Sequence, residues 1–231
     1  MGPVVPYLLH VGPTRGPFSG ELTHMRRRHT LALTAAAVLV VGAPTAASAQ
    51  TYRHTDPAGD VTRDSYNFDT DEEVETVDPT IAEGDVIGST VKHNPRKVIT
   101  TLTFRELTAT DDTSQFLVAI RSSSNVNRIV AVTADRDHAR GVQQIVRMKN
   151  GRKASCRGLS HSIDYTANTV TITVPRSCLD RPRWVKVAAV SERIAADDAT
   201  TPEDTFEAYY DDAHHTGLGD DVIYSPRLRR G

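Results

Sequence analysis

Carboxylates gathered in turns are the side chains of this sequence best suited to chemistry. Asp56-Pro57-Ala58-Gly59-Asp60 puts two of them four positions apart around a Pro-Gly turn, a spacing that lets both converge on one cation. Hard cations such as Ca²⁺ take several oxygen ligands from carboxylates and loop carbonyls. Glu83-Gly84-Asp85 is a second acidic turn; Tyr209-Tyr210-Asp211-Asp212 and Gly219-Asp220-Asp221 form a third acidic region. If the two ends of the domain meet, these regions share a site. Asp56, Asp60 and Asp85 are the expected metal ligands, against the plainer reading that Asp-Pro and Gly-Asp pairs only make turns. Asp69-Thr70-Asp71 opens like an EF-hand loop but lacks the Gly at position six and the Glu at position twelve. His214-His215 beside Asp211 and Asp212 has transition-metal residue types. Adjacent residues on an extended segment point to opposite sides, which works against both reaching one ion.

Catalytic signatures are missing. The sequence has no H-E-x-x-H, no P-loop and no complete G-x-S-x-G; Gly158-Leu159-Ser160-His161-Ser162 lacks the closing glycine. The reading therefore leans away from an enzyme. Aromatic rings stack on the apolar faces of sugars, and Tyr209, Tyr210 and Trp184 are the candidate ligand-binding residues. Trp184 also begins an apolar strand, where a core role competes.

An export signal fixes the chemical environment. Met25-Arg26-Arg27-Arg28 precedes an apolar run from Leu31 to Val41, and Ala47-Ser48-Ala49 supplies the small residues of a cleavage site. The run is about half of the ~20 residues needed to span a bilayer. Residues 25–49 are thus expected to be a signal peptide, residues 1–24 an upstream extension outside the native protein, and residues 50–231 one secreted domain. That domain carries 23 basic and 28 acidic residues, which argues against nucleic acid and anionic membrane as partners. An isolated cysteine pair in an exported chain reads as a disulfide, Cys156–Cys178. Closing such a loop contributes about 3 kcal/mol in the chain-entropy model.

Strand patterns dominate the domain. Candidates are 85–92, 97–107, 115–121, 128–133, 142–148, a hairpin on either side of Thr166–Thr169 with Tyr165 opposite Val170, then 184–190 and 222–224. In that hairpin Cys156 falls one residue from facing Cys178, an offset a bulge at Gly158 would absorb. Residues 69–78 and 195–205 read as loose, with one helical turn at 194–199. Many short strands separated by turns predict an all-β fold: an antiparallel, jelly-roll-like β-sandwich.

The Asp56-Pro-Ala-Gly-Asp-Val61 opening resembles a pattern in secreted β-sandwich proteins of high-GC actinobacteria. Gly84-Asp-Val86, Val91-Lys-His93, Val174-Pro-Arg-Ser-Cys-Leu179 and Tyr224-Ser-Pro-Arg-Leu-Arg-Arg-Gly231 are similar to it as well. By fold analogy the strand pattern is similar to family-9-like carbohydrate-binding modules and DOMON-type domains. The exported β pattern, the acidic turns and the missing catalytic signature lead to the expectation of a secreted, non-enzymatic module for an extracellular glycan or cell-envelope ligand, steadied by Ca²⁺. The alternatives are a secreted hydrolase with a dispersed His/Asp/Ser site and an extracellular protein-interaction or inhibitor domain.

Overall fold

A computed structural model describes residues 49–196, 205–214 and 222–231. Residues 1–24 of the expected upstream extension, residues 25–48 of the expected signal peptide, His215 and the acidic stretch 219–221 lie outside the described residues. The architecture is the expected antiparallel β-sandwich. One sheet has five strands in the order β1 (Gln50–Thr55), β4 (Val86–His93), β5 (Lys97–Phe104), β10 (Thr169–Pro175) and β9 (Ser160–Asp164). The larger sheet runs β3 (Glu72–Val77), β2 (Thr62–Asn67), β12 (Thr205–Asp212), β11 (Trp184–Ile194), β6 (Thr113–Ser122), β7 (Arg128–Ala134) and β8 (Val142–Arg147). A two-residue strand, β13 (Leu228–Arg229), also pairs with β11. Among the described residues no helix is long and apolar enough to cross a membrane.

Alternation builds the core. In β5, Val98, Thr100, Leu102 and Phe104 turn inward; in β6, Phe116, Val118 and Ile120 do so from the opposite sheet. Phe104 and Phe116 meet edge to face between the sheets, with ring centroids 5.5 Å apart. Both are buried, so truncating Phe104 removes a ring contact and leaves a cavity that the two sheets cannot collapse to fill. Phe104→Ala is expected to cost about 3–5 kcal/mol, read as a lowered urea midpoint at unchanged slope.

Several local expectations need correction. The β9–β10 hairpin pairs Ile163, not Tyr165, with Val170. The Asp164 carboxylate accepts the Thr166 and Ala167 amides, and Asn168 takes a left-handed φ of 49°. This Asx turn starts the reversal one residue earlier, which shifts the pairing by two and keeps the same side chains inward. The Cys156–Cys178 bridge forms with a Cα separation of 5.3 Å, but it joins a loop to a 3-10 turn at Arg176–Leu179. Gly158 sits in a turn before β9, with φ 84°, where no ladder exists to bulge. Residues 72–77 of the supposedly loose acidic segment form β3, every residue of which is exposed, so no apolar period marks it. Residues 222–224 are not a strand; Tyr224 lies beneath the Arg121 guanidinium, 4.3 Å from its ring centroid. β11 extends through Ile194 in place of the expected helical turn, the last part of which lies outside the described residues.

Candidate metal centre

The crossing from one sheet to the other begins at Asp56. β1 ends at Thr55 on the five-stranded sheet, β2 starts at Thr62 on the larger one, and Asp56–Val61 makes the passage. The Asp56 amide donates to the Ile87 carbonyl at 3.1 Å, which extends the β1–β4 ladder and fixes the carboxylate's starting point. Alternation places Tyr52, His54 and Asp56 on one side of the strand. Their environment confirms it: Tyr52 and His54 both pack edge to face against His214. Gly59 turns the loop with φ 83°, and a Cβ there would press on Pro79 at 3.3 Å. Its amide donates to Asp85 Oδ2 at 2.8 Å, tying the loop to the start of β4.

The third carboxylate arrives from the far end of the sequence. Asp211 lies on β12, opposite Ser191 of β11, and faces inward. Its Oδ2 accepts the Val86 amide at 2.6 Å, so it reaches from the large sheet to the first residue of β4 in the small one. Carboxylate oxygens of Asp56, Asp60 and Asp211 all lie within 4.8 Å of one another. Asp56 is 3% exposed and Asp211 4%. Neither oxygen of Asp56 meets a hydrogen-bond donor, and His54 Nε2 stands 3.7 Å from Oδ1.

Burial pushes the Asp56 carboxyl up to about 8, with repulsion from Asp211, Asp60, Asp212 and Asp85 adding to it. Asp211 is likewise pushed up to about 8 by burial and by Asp60, Asp85 and Asp212, against the opposing hydrogen bond from Val86. Three hard oxygen donors in a dry, strongly acidic pocket match the ligand chemistry of Ca²⁺, which takes six to eight oxygens from mono- or bidentate carboxylates, carbonyls and water.

Of the three residues expected as ligands, two lie in one cluster of carboxylates and the third lies next to it. Asp56 and Asp60 come together as the Pro-Gly spacing predicts, joined by Asp211. Asp85 is fully buried beside them, but its Oδ2 is occupied by the Gly59 amide and stands 3.5 Å from Arg105 Nη1. Its role is to hold the loop and add negative charge. The ligand-binding aromatics do not form one platform. Trp184 begins β11 with Arg227 4.8 Å over its ring, whereas Tyr209 and Tyr210 sit opposite Arg193 and Glu192 near the other end of that strand. The Tyr209 ring is covered by the Arg193 guanidinium at 4.1 Å, and the Tyr210 hydroxyl donates to Glu75 at 2.6 Å.

His93 and His214 serve buried hydrogen bonds. His214 Nε2 lies 3.0 Å from Ser89 Oγ and its Nδ1 3.2 Å from the Ile223 carbonyl, a pattern in which Nδ1–H donates and Nε2 accepts. Ser89 is 4% exposed and His214 8%, so this Ser–His pair lies beneath the surface. His93 is fully buried with Nδ1 2.9 Å from the Leu228 carbonyl. His161 bridges the Gln143 side chain and the Arg140 carbonyl, each at 2.8 Å. Comparison of the chain with protein-family models, curated proteins and solved structures gave no match.

Proposed function

We propose that this chain is a secreted, non-enzymatic β-sandwich binding module whose two sheets are joined through a Ca²⁺ ion held by Asp56, Asp60 and Asp211. The observation that carries the reading is Asp56: a carboxylate removed from water, with no donor on either oxygen, beside two more acids. An isolated buried carboxylate costs several kcal/mol, and a bound cation is the direct way to offset it. Export supports the choice of ion, since extracellular modules hold Ca²⁺ with Kd values of about 10⁻⁴–10⁻³ M. An extracellular glycan or cell-envelope component remains part of the proposal on the strength of the export signal, the sandwich and the likeness to secreted actinobacterial proteins.

Calorimetric titration of Ca²⁺ into chelator-treated protein tests the metal centre. One ion per chain is expected, with binding lost in Asp56→Ala and in Asp211→Ala. Asp85→Asn keeps an acceptor for the Gly59 amide and should weaken binding only about 10-fold, as an outer-shell change does. Unchanged binding in Asp56→Ala would refute the assignment.

A further inference from the structure

We propose that the outer face and free edge of the β2–β3 hairpin dock an extended, basic polypeptide segment. Charge distribution is the first argument. Residues 62–78 contain seven acids and one arginine, whereas the rest of 50–231 holds 22 basic and 21 acidic residues. The acidic excess of the whole domain therefore sits on this one hairpin.

Registers and exposure supply the second. Phe206 of β12 lies opposite Tyr66 of β2, which lies opposite Glu73 of β3, so the three share one face. Two positions along, Ala208, Asp64 and Glu75 share it too, and Tyr210, Thr62 and Val77 continue it. This is the outward face, since Asp211 and Tyr209 on the alternate positions of β12 point toward the core side. Phe68, in edge-to-face contact with Tyr66 at 5.0 Å, is 63% exposed; Val77 is 41% exposed and Phe206 36%. Aromatic rings set among carboxylates are the surroundings a guanidinium or ammonium group prefers, combining cation–π attraction with charge pairing.

The carboxylates are crowded as well as numerous. Oxygens of Asp64, Glu73 and Glu75 lie within 4.8 Å of one another, and Asp64 Oδ1 is buried without a hydrogen-bond donor. Burial, then the repulsion of Glu73 and Glu75, raises the Asp64 pKa. A cationic side chain placed among the three relieves that repulsion. Because β3 closes the order of its sheet, its outer edge presents backbone groups to an incoming strand. Glu72, Glu73 and Glu75 on that edge repel a second copy of itself, which leaves a basic strand as the fitting addition.

A dye-labelled octapeptide alternating arginine and valine, with its glutamate counterpart as control, reads the proposal by fluorescence anisotropy. Saturable binding of the basic peptide alone is expected, at least about 10-fold weaker in Glu73→Lys/Glu75→Lys and weaker in Phe68→Ser. These exposed positions lie outside the metal centre, so unchanged unfolding midpoints and Ca²⁺ titrations show that the variants remain folded. Lack of saturation up to about 1 mM peptide, equal affinity in the charge-reversed variant, or dimerisation that the same substitutions abolish would each overturn it.

Discussion

In calcium-free buffer at about pH 9, Asp56→Asn/Asp211→Asn is expected to be more stable than the parent protein, and with saturating Ca²⁺ the order should reverse. Both carboxylates have been pushed up to about 8, so at that pH the folded parent carries two buried, mutually repelling anions. Asparagine removes the charge at nearly constant shape, and its carbonyl can still accept the Val86 amide that Asp211 receives at 2.6 Å. Relief of about 2–3 kcal/mol is a conservative expectation for the pair, corresponding to a rise of about 5–10 °C in Tm for a domain of this size. Calcium acts only on the parent: at 100 times its Kd an ion bound solely by the folded state adds about 2.7 kcal/mol. Scanning calorimetry of both proteins, with and without the ion, gives the four values needed. A double variant less stable than the metal-free parent would mean that these carboxylates stabilise the fold by themselves, and the cation reading would fail.

The metal-free parent should also lose stability as pH rises from about 4 to about 8, the reverse of an ordinary salt-bridged aspartate. Its folded Asp56 and Asp211 hold their protons up to about 8, while an unfolded aspartate releases its own near 3.8. Between those values the folded state binds more protons, so each pH unit costs up to about 1.4 kcal/mol per carboxylate. The stability is full below the unfolded value and is lost as pH climbs toward the folded one. Glu192, raised by burial, acts in the same direction. His93 and His214 act in the other: burial lowers both, so their contribution is present above about 6.5 and lost as pH falls through their folded values. Urea midpoints measured from pH 5 to 9 in chelator should therefore decline on the alkaline side. Saturating Ca²⁺ should remove that decline, because the bound ion keeps the carboxylates ionised at lower pH. A metal-free midpoint that stays level or climbs between pH 6 and 8 would contradict the burial of these groups.

Where the sequence alternates apolar and polar residues, it carries the fold openly. The expected strands 97–107 and 184–190 are found as Lys97–Phe104 and Trp184–Ile194, one shorter and one longer than its pattern, and both are legible because each lies in the middle of a sheet with one face in the core. Four strands near the ends of the domain are hidden for the opposite reason. β1 puts Tyr52, His54 and Asp56 on its inner side, β2 and β3 are largely wet, and β12 points Glu207, Tyr209 and Asp211 toward the core side. Polar residues inward erase the period on which a strand is recognised. The candidate metal centre is affected in the same way. Asp56 and Asp60 are legible from local spacing, whereas Asp211 joins them only because β12 inserts between β2 and β11. Choosing Asp211 over its neighbour Asp212 depends on which parity of that strand faces inward. Asp85 shares residue type and burial with the cluster, and what separates it is position: it is not among the carboxylates that converge within 4.8 Å, and Arg105 Nη1 stands 3.5 Å from its Oδ2.

The place of β12 between β2 and β11 sets an order of events during synthesis. The β2–β3 hairpin can close early, from residues a few positions apart, yet among the described residues it joins the large sheet through residues 205–212. Arg63 and Glu207, one such contact, are 144 residues apart in the chain. Until β12 has emerged, the most acidic part of the domain is a two-stranded ribbon of marginal independent stability, and the five-stranded sheet lacks the partner that later reaches Val86. Contacts of such long sequence separation make for slow folding. The growing chain thus passes through most of its length with its first hairpin unanchored, and that hairpin joins the sandwich once residues 205–212 are present to pair with it.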